Sequence, residues 1–590
     1  MKRTVVLALG AAMLLSLLAI ACGGGETVVV KEEVVVTSVI EKEVVVEKEV
    51  PVVVEKEVEV VKEVAVEKVV KVTVEVEKVV QATAESQAKG VEVEQKKYGG
   101  TLRVVSQASI ESLDISFTGA WVTTVVNAHI WDRLFERDTE LKSLPQMVDT
   151  WSVSSDGRTW LFTLRDGLKF HNGDPVTSAD VIPSLKRIWV TQAHGSFMNS
   201  YLVADGMQAV TDNTFSLEFD RSMGVVLDGL ASPWPFSNIY PKAIGEMEAQ
   251  KDFGEENAIG SGPYKLKNWE KGNKLVLERF EDYIPRAESG SYLSGGKKAY
   301  LDRIEWLEVP AEETKIAGLE TGEWDLVDGA GLDFYPRIKS NPDMGIAEDR
   351  NHISDFDFNL ISEPANNIGV RQAILAASDV DELMAGIGPK ELWFKTAARY
   401  YNSPYHTEVG SEYYDQGDMA KAQQILAGSG YNGETLLLMN PNDYATITFL
   451  GEVLKPMIEE IGITVDMPGM DWATLLSRLP DPDWDIITDW WVQWIMADPV
   501  MDPMPSCSLY FGNWGKTDGC QIMLANREKF AFATDPQEQM KYVEAIQLQL
   551  YTDVPHVFLG WWSAIYPYRD YVKNFSVPIM PVFVNVWLEK

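Results

Sequence analysis

The chain contains 590 residues, with a formal net charge of -36 and a pI near 4.6. Because phosphate neutralisation needs clustered Lys and Arg, this acidic balance argues against a nucleic-acid partner. At roughly 100 to 200 residues per domain, the length predicts several lobes around more than one core, and therefore room for a cleft.

An apolar run follows two basic residues at the N-terminus. Lys2 and Arg3 precede the run from Val5 to Ile20, which ends at Cys22 and three glycines. About 16 apolar residues fall short of the roughly 20 that a mature membrane helix needs, whereas they suit an export signal closed by small residues. We therefore predict a signal peptide over residues 1–22 and a location outside the cytoplasm.

This segment resembles a bacterial lipoprotein signal, in which the Cys after the cleavage site carries a lipid. The resemblance implies lipidation of Cys22, which would anchor the chain to the cell membrane, in the periplasm or on the outer face. Lipoprotein signals usually have Leu three residues before the Cys, where this chain has Ala19. Ala19 and Ala21 also suit ordinary signal peptidase, so a secreted protein with an unmodified Cys22 is the alternative.

Residues 23–97 form a low-complexity segment of Val, Glu and Lys, in which the sequence of 44–50 recurs at 52–58. Charge keeps such a segment soluble while valines disfavour a structureless coil, so an extended arm, a helix and self-association all remain open. Globular patterning begins at Tyr98. We interpret residues 23–97 as a stalk and linker that hold the body off the membrane; a structural or adhesive role is the rival.

The clearest local pattern lies between residues 151 and 190. Trp160, Phe162 and Leu164 alternate with other residues, which predicts a strand with one buried face. Asp-Gly and Asn-Gly pairs then predict two turns. Thr177 follows as the predicted N-cap of a helix.

This block, WSVSSDGRTWLFTLRDGLKFHNGDPVTSADV, closely resembles a signature of the large peptide-, dipeptide- and nickel-binding class of importer solute-binding proteins, family 5. Further matches occur in the family's order at residues 112–114, 130–136, 259–266, 318–326, 370–379 and 415–431. The resemblance spans residues 98–590. We expect these motifs to be structural, so they identify the architecture while the ligand must be argued elsewhere.

The resemblance implies an α/β fold of the periplasmic-binding-protein type II, in its large three-subdomain form, with hinge strands between two lobes. The expected segments are 98–142, 258–355 and 556–590 for lobe I, 143–257 for a subdomain inserted in lobe I, and 356–555 for lobe II. It also implies a monomer without a cofactor that captures a ligand between the lobes and passes it to the permease subunits of an ABC importer.

Tryptophans and carboxylates cluster near residue 490. The candidate ligand residues there are Trp490, Trp491, Trp494 and Asp498. In the family, an Asp after a Trp pairs with the α-ammonium of the peptide, which implies this role for Asp498. Its spacing to Trp494 and to Asp502 differs by one residue from the family pattern, so Asp489 and Asp502 are rivals.

In relatives the segment after Asp114 offers main-chain groups to the peptide from lobe I, which here implies Gly119 and Trp121. Recognition would then be strand addition, in which main-chain hydrogen bonds give affinity and pockets receive side chains. A short peptide is therefore the predicted ligand. The 19 tryptophans keep an oligosaccharide open as the main alternative, and a nickel or metal-chelate ligand is third.

Catalytic and metal-binding patterns are weak. The six histidines are scattered without metal-ligand spacing, and the sequence contains neither a Gly-x-Ser-x-Gly elbow nor HExxH. We therefore predict no enzyme activity, no metal and no cofactor.

Two further cysteines, Cys507 and Cys520, lie close together in a Gly-rich stretch. In an exported chain they predict a disulfide, which would stabilise the fold by about 3 kcal/mol. Dipeptide binders of the resembling family carry a similarly placed pair. Zinc is the weaker interpretation because no His lies nearby.

Overall fold

The computed structural model describes residues 94, 96–106, 108–118, 120–232, 234–442, 445–479, 481–492, 497–507 and 517–589. The predicted signal peptide, Cys22 and almost all of the stalk lie outside these residues. Over the described ranges, no helix combines the length and the apolar character that a membrane span requires.

The strands, in chain order, are β1 (Thr101–Val105), β2 (Phe135–Arg137), β3 (Ser143–Pro145), β4 (Val148–Val153), β5 (Thr159–Leu164), β6 (Leu202–Thr211), β7 (Thr214–Phe219), β8 (Tyr264–Glu270), β9 (Lys274–Arg279), β10 (Arg303–Leu307), β11 (Leu326–Val327), β12 (Met344–Glu348), β13 (His352–Phe358), β14 (Trp393–Phe394), β15 (Leu436–Pro441), β16 (Val465–Asp466), β17 (Gly469–Met470), β18 (Ile486–Val492), β19 (His556–Trp562), β20 (Ile565–Arg569), β21 (Val572–Lys573) and β22 (Trp587–Leu588).

The α-helices are α1 (Trp121–Ile130), α2 (Ser178–Ile188), α3 (Ala193–Asn199), α4 (Val226–Leu230), α5 (Lys242–Gly245), α6 (Glu312–Thr321), α7 (Tyr335–Lys339), α8 (Ile368–Ala377), α9 (Val380–Met384), α10 (Met419–Gly428), α11 (Ala445–Glu460), α12 (Trp472–Arg478), α13 (Asp518–Phe532) and α14 (Pro536–Asp553).

The first large sheet has the strand order β12-β20-β11-β1-β10-β9-β8. Its strand β1 runs parallel to both β10 and β11, so the carboxyl ends of β1 and β11 meet at one edge. Leu102 and Val104 of β1 are fully buried, in a core that also contains Trp131 and Trp306. We call the part of the chain built on this sheet lobe I.

A separate four-stranded antiparallel sheet, β4-β5-β7-β6, lies within residues 143–257, the range predicted as an inserted subdomain, and we keep that name for it. Trp160, Phe162 and Leu164 of β5 are buried, which confirms the predicted one-sided strand. Thr177 caps α2 through a capping box: its backbone N–H and its hydroxyl both donate to Asp180, at 2.9 and 2.8 Å. The predicted helix start is therefore confirmed.

The second large sheet has the order β14-β19-β13-β18-β15-β16, with β17 also paired to β15. Strand β13 lies between β18 and β19 and is antiparallel to both. Its residues Phe356 and Phe358 are fully buried in a core shared with Ile374 of α8 and Leu454 of α11. We call this part lobe II.

Within the described residues, the chain passes between the two large sheets at 349–351, after β12, and at 563–564, after β19. The predicted boundaries lay at 355/356 and 555/556. Strands β13 and β19 pair with each other from His352/Trp562 to Asp357/His556, with one irregularity between Ser354 and Asp355, so both strands lie in the second sheet. The domain boundaries themselves stay a prediction. The carboxylate of Asp349 joins the crossings, since it accepts hydrogen bonds from the Ala564 N–H and the Tyr566 hydroxyl, each at 3.0 Å.

Candidate functional site

Trp490 lies where the two lobes meet. Its half-buried side chain packs against the apolar cores of both lobes. Its ring centroid is 5.2 Å from that of His352 and 6.2 Å from that of Trp562. Because His352 begins β13 and Trp562 ends β19, both neighbours adjoin the crossings, and Trp490 lies beside the hinge.

Trp491 does not lie on the same face of β18 as Trp490. Successive side chains of a strand point to opposite faces, and Trp491 packs with Ile487 and Trp561 on the other face of β18. Trp494 lies outside the described residues. Trp490 and Trp491 therefore lie on opposite faces of one strand, and a ligand role for each of them stays a prediction.

On lobe I, Trp121 is the first residue of α1 and packs, half-buried, against the same core as Trp490. Gly119 lies outside the described residues. Asp114, where this loop begins, is fully buried and forms an ion pair with Arg187 of α2. Asp114 also accepts the backbone N–H groups of Ser116 and Phe253, at 3.0 and 3.2 Å. These bonds fix the start of the loop that leads to Trp121.

Sequence reasoning missed Asp328, which faces Trp121. It follows β11, and its N–H donates to the carbonyl of Val105 at 2.9 Å, so it lies at the shared carboxyl edge of β1 and β11. Burial raises the pKa of the Asp328 carboxyl to about 7, and the neighbouring Trp121 side chain counteracts part of this rise. Ligands of α/β sheets commonly bind at such an edge. The only sequence signal was an Asp-Gly pair just after the 318–326 motif.

Asp498 lies between lobe II and the inserted subdomain. Its fully buried carboxylate is 2.9 Å from Nε2 of His194 on α3, and it accepts the N–H groups of Val500 and Met501 at 2.8 and 3.2 Å. Burial raises the pKa of Asp498, but the pair with His194 outweighs burial and holds this pKa below its ordinary value. The carboxylate thus already has protein partners, and its pairing with a ligand amine stays a prediction.

The alternative candidate, Asp502, also forms hydrogen bonds with other side chains of the protein. Its two carboxylate oxygens accept from Nε and Nη2 of Arg399, at 2.5 and 2.9 Å, and one of them accepts the Tyr400 hydroxyl at 2.9 Å. All three side chains are buried. We infer that Asp502 holds the segment around Arg399 in place.

Asp489, the other rival, belongs to a buried acidic cluster in lobe II, which consists of Asp355, Asp357, Asp489 and His556. Asp489 lies opposite Asp355 in the β13–β18 register, and His556 lies opposite Asp357 in the β13–β19 register. Burial and the neighbouring carboxylates raise the pKa of each of the three carboxyls well above its ordinary value. Burial, and then Arg399, lower the pKa of His556 well below its ordinary value.

The two cysteines join this region to α13. Cys507 and Cys520 are bonded through their sulfur atoms, with Cα atoms 6.0 Å apart. Residues 508–516, between them, lie outside the described residues. The bond ties the segment after Asp502 to the N-terminus of α13, whose cap is Thr517.

Comparison with known protein families identifies the family of the chain. The sequence model of bacterial extracellular solute-binding proteins, family 5 Middle, matches residues 142–512. The chain belongs to this family. Family 5 solute-binding proteins serve transport by binding, so the chain is an extracytoplasmic binding protein and not an enzyme.

Curated relatives of this family 5 protein include a probable peptide ABC transporter periplasmic-binding protein, y4tO, of Sinorhizobium fredii. It is 30% identical over 384 residues, which cover 63% of this chain and 71% of the relative. The glutathione-binding protein GsiB of Pectobacterium atrosepticum is 24% identical over 479 residues, which cover 77% of this chain and 87% of GsiB.

The fold is shared with solved family 5 structures. The substrate-binding protein CtaP of Listeria monocytogenes aligns with a TM-score of 0.70 at 21% identity, over 84% of this chain and 100% of CtaP. The predicted α/β fold with two lobes is therefore confirmed.

Proposed function

We propose that this chain captures a short peptide between its two lobes and delivers it to the permease subunits of an ABC importer. The observation that carries the proposal is the position of Trp490, which touches the cores of both lobes beside the two crossings. An indole at that position is covered or uncovered as the lobes close or open. Relatives named for peptide and for glutathione, itself a tripeptide, support the ligand class.

Lobe closure is the proposed capture step. Two short crossings allow a hinge motion, which moves Trp490 of lobe II relative to Trp121 and Asp328 of lobe I. The indoles would exclude water from the peptide, and main-chain hydrogen bonds at the strand ends would bind it without regard to its sequence.

We assign the peptide's α-ammonium to Asp328. A buried ammonium needs a carboxylate partner, because either charge alone costs several kcal/mol. Asp498 and Asp502 already pair with His194 and Arg399, whereas Asp328 has Trp121 beside it at a sheet edge suited to ligands. The ammonium would stabilise the ionised form of Asp328 when the ligand binds.

Membrane attachment completes the proposal. A lipid on Cys22 would tether a monomer through the 23–97 stalk, so that the body reaches the permease. When cells are grown with labelled palmitate, the wild-type chain should carry the label and the Cys22→Ala variant should not. The variant should also be found free of the membrane. Membrane-bound, unlabelled protein would contradict the anchor.

The test of ligand class is native mass spectrometry of the full chain purified from its host, followed by release and identification of bound molecules. Short peptides are expected. Hexose oligomers or metal chelates, with no peptide, would overturn the proposed ligand. Titration of the stripped protein with di- to pentapeptides, followed by tryptophan fluorescence, should then give saturable binding.

A further inference from the structure

Three metal-ligating side chains meet inside lobe II, away from Trp490. Asp355, Asp357 and His556 each offer one ligand atom, and these atoms all lie within 4.8 Å of one another. All three residues are buried, with exposed fractions of 0%, 1% and 5%. This group could not be predicted from sequence spacing, because β19 brings His556 to β13 from a distant part of the chain.

The two carboxylates lack the partners that buried charges require. Among the described residues, no hydrogen bond reaches any oxygen of Asp355 or Asp357. Nδ1 of His556 is 3.6 Å from an Asp355 oxygen, which exceeds hydrogen-bond length. Since an ionised carboxylate in such surroundings is costly, a cation between these groups would offset an unfavourable buried charge.

The neighbouring charges leave a deficit of positive charge. Asp489 adds a third carboxylate opposite Asp355, and one of its oxygens accepts the Trp490 N–H at 2.7 Å. The guanidinium beside His556, that of Arg399, is bound through two nitrogens to Asp502. With Asp502 offsetting Arg399, the group carries up to three negative charges, and a divalent cation would reduce them to one.

We propose that Asp355, Asp357 and His556 bind one divalent first-row transition metal ion. Two carboxylate oxygens with one imidazole nitrogen suit Zn²⁺ or a similar ion, whereas Ca²⁺ prefers six to eight oxygens. The ion would join β13 to β19, the two strands that lead to the crossings. It would be a resident part of lobe II, on the strand face opposite to Trp490, and is independent of the proposed peptide ligand.

Metal binding constrains Arg399. Its Nη1 lies 3.3 and 3.1 Å from the two ring nitrogens of His556. When one nitrogen binds the ion, the other carries the proton and cannot accept from Arg399. Arg399 would then release the imidazole and keep both bonds to Asp502.

The test uses the full chain without a His tag, stripped with EDTA, incubated with Zn²⁺ and separated from free metal. Elemental analysis should give about one more equivalent of zinc in wild type than in the double variant Asp355→Asn/Asp357→Asn. Since changes to outer partners alone cost 10–100-fold, loss of one ligand in His556→Gln should weaken Zn²⁺ affinity at least about a hundredfold. Zn²⁺ should raise the melting temperature of wild type only.

The matched control is Asp466→Asn, at an exposed position of β16, which should keep the zinc equivalent. In EDTA the double variant should be at least as stable as wild type, because it removes two buried like charges; this outcome also shows that it folds. Equal zinc in wild type and the double variant would overturn the proposal. Displacement of zinc by equimolar Ca²⁺ would overturn the assigned ligand set.

Discussion

His194 and Asp498 pair across the boundary between the inserted subdomain and lobe II, with Nε2 of His194 2.9 Å from the carboxylate and both side chains fully buried. A second contact crosses the same boundary, where the Tyr405 hydroxyl donates to Asp228 at 3.0 Å. Through this pair, Asp498 links lobe II to the inserted subdomain.

Because Asp498 already pairs with His194, the roles of Asp328 and Asp498 in peptide binding can be distinguished by experiment. Asp328→Asn should weaken binding of a peptide with a free N-terminus by more than tenfold, since truncating a buried charge pair costs about 2–5 kcal/mol. The same peptide with an acetylated N-terminus should bind wild type and variant alike. Asp498→Asn should affect both peptides equally, because its partner is His194. Calorimetry measures the affinity for both peptides. If Asp498→Asn loses affinity only for the peptide with a free N-terminus, then Asp498 and not Asp328 pairs with the α-ammonium.

The pKa of Asp328 also predicts a pH dependence of stability. The folded-state pKa is about 7 and the ordinary value is 3.8, so the unfolded chain ionises first as pH rises. Stability from this group is therefore greatest below about pH 4 and is lost between about pH 4 and 7, by up to roughly 4 kcal/mol. The stability of Asp328→Asn relative to wild type should therefore increase as the pH rises from about 4 to 7. Denaturant unfolding from pH 4 to 8 measures the difference, and parallel curves would contradict it.

Trp490→Ala should weaken peptide binding by at least about thirtyfold, as expected when a central aromatic contact of 2 kcal/mol or more is lost. The matched control is Trp151→Ala, because Trp151 is 42% exposed on the inserted subdomain. It should bind peptide as wild type does, although loss of its edge-to-face contact with Phe135 should lower the free energy of unfolding by about 1 kcal/mol. Unchanged affinity in Trp490→Ala would remove the tryptophan from the binding site.

Lys297 should be essential for the stability of lobe I. Its ammonium is fully buried and lies 2.7 Å from Asp132 and 2.9 Å from Glu136. Lys297→Met leaves these carboxylates without it and should cost about 3–5 kcal/mol in the free energy of unfolding. Lys142→Met is the control, because Lys142 pairs with Glu140 at the surface and should cost less than about 1 kcal/mol. Similar losses in both variants would refute the assignment.

Local sequence patterns predicted local structure well, but they could not predict contacts between residues that are distant in the sequence. The alternation around Phe162 and the cap at Thr177 depend on neighbours in sequence, so both were predicted. The opposite faces of Trp490 and Trp491 depend on where β18 begins and ends. Asp328 beside Trp121 depends on the pairing of β11 with β1, which the sequence did not specify.

The two crossings also determine how the lobes can move. Asp349 accepts a hydrogen bond from Ala564 in the other crossing and another from Tyr566 just beyond it. Since both connections are bonded to one carboxylate, we expect their movements to be coupled. We therefore infer that the lobes open by rotation close to Asp349, and changes at this residue should alter the angle of opening more than the choice of ligand.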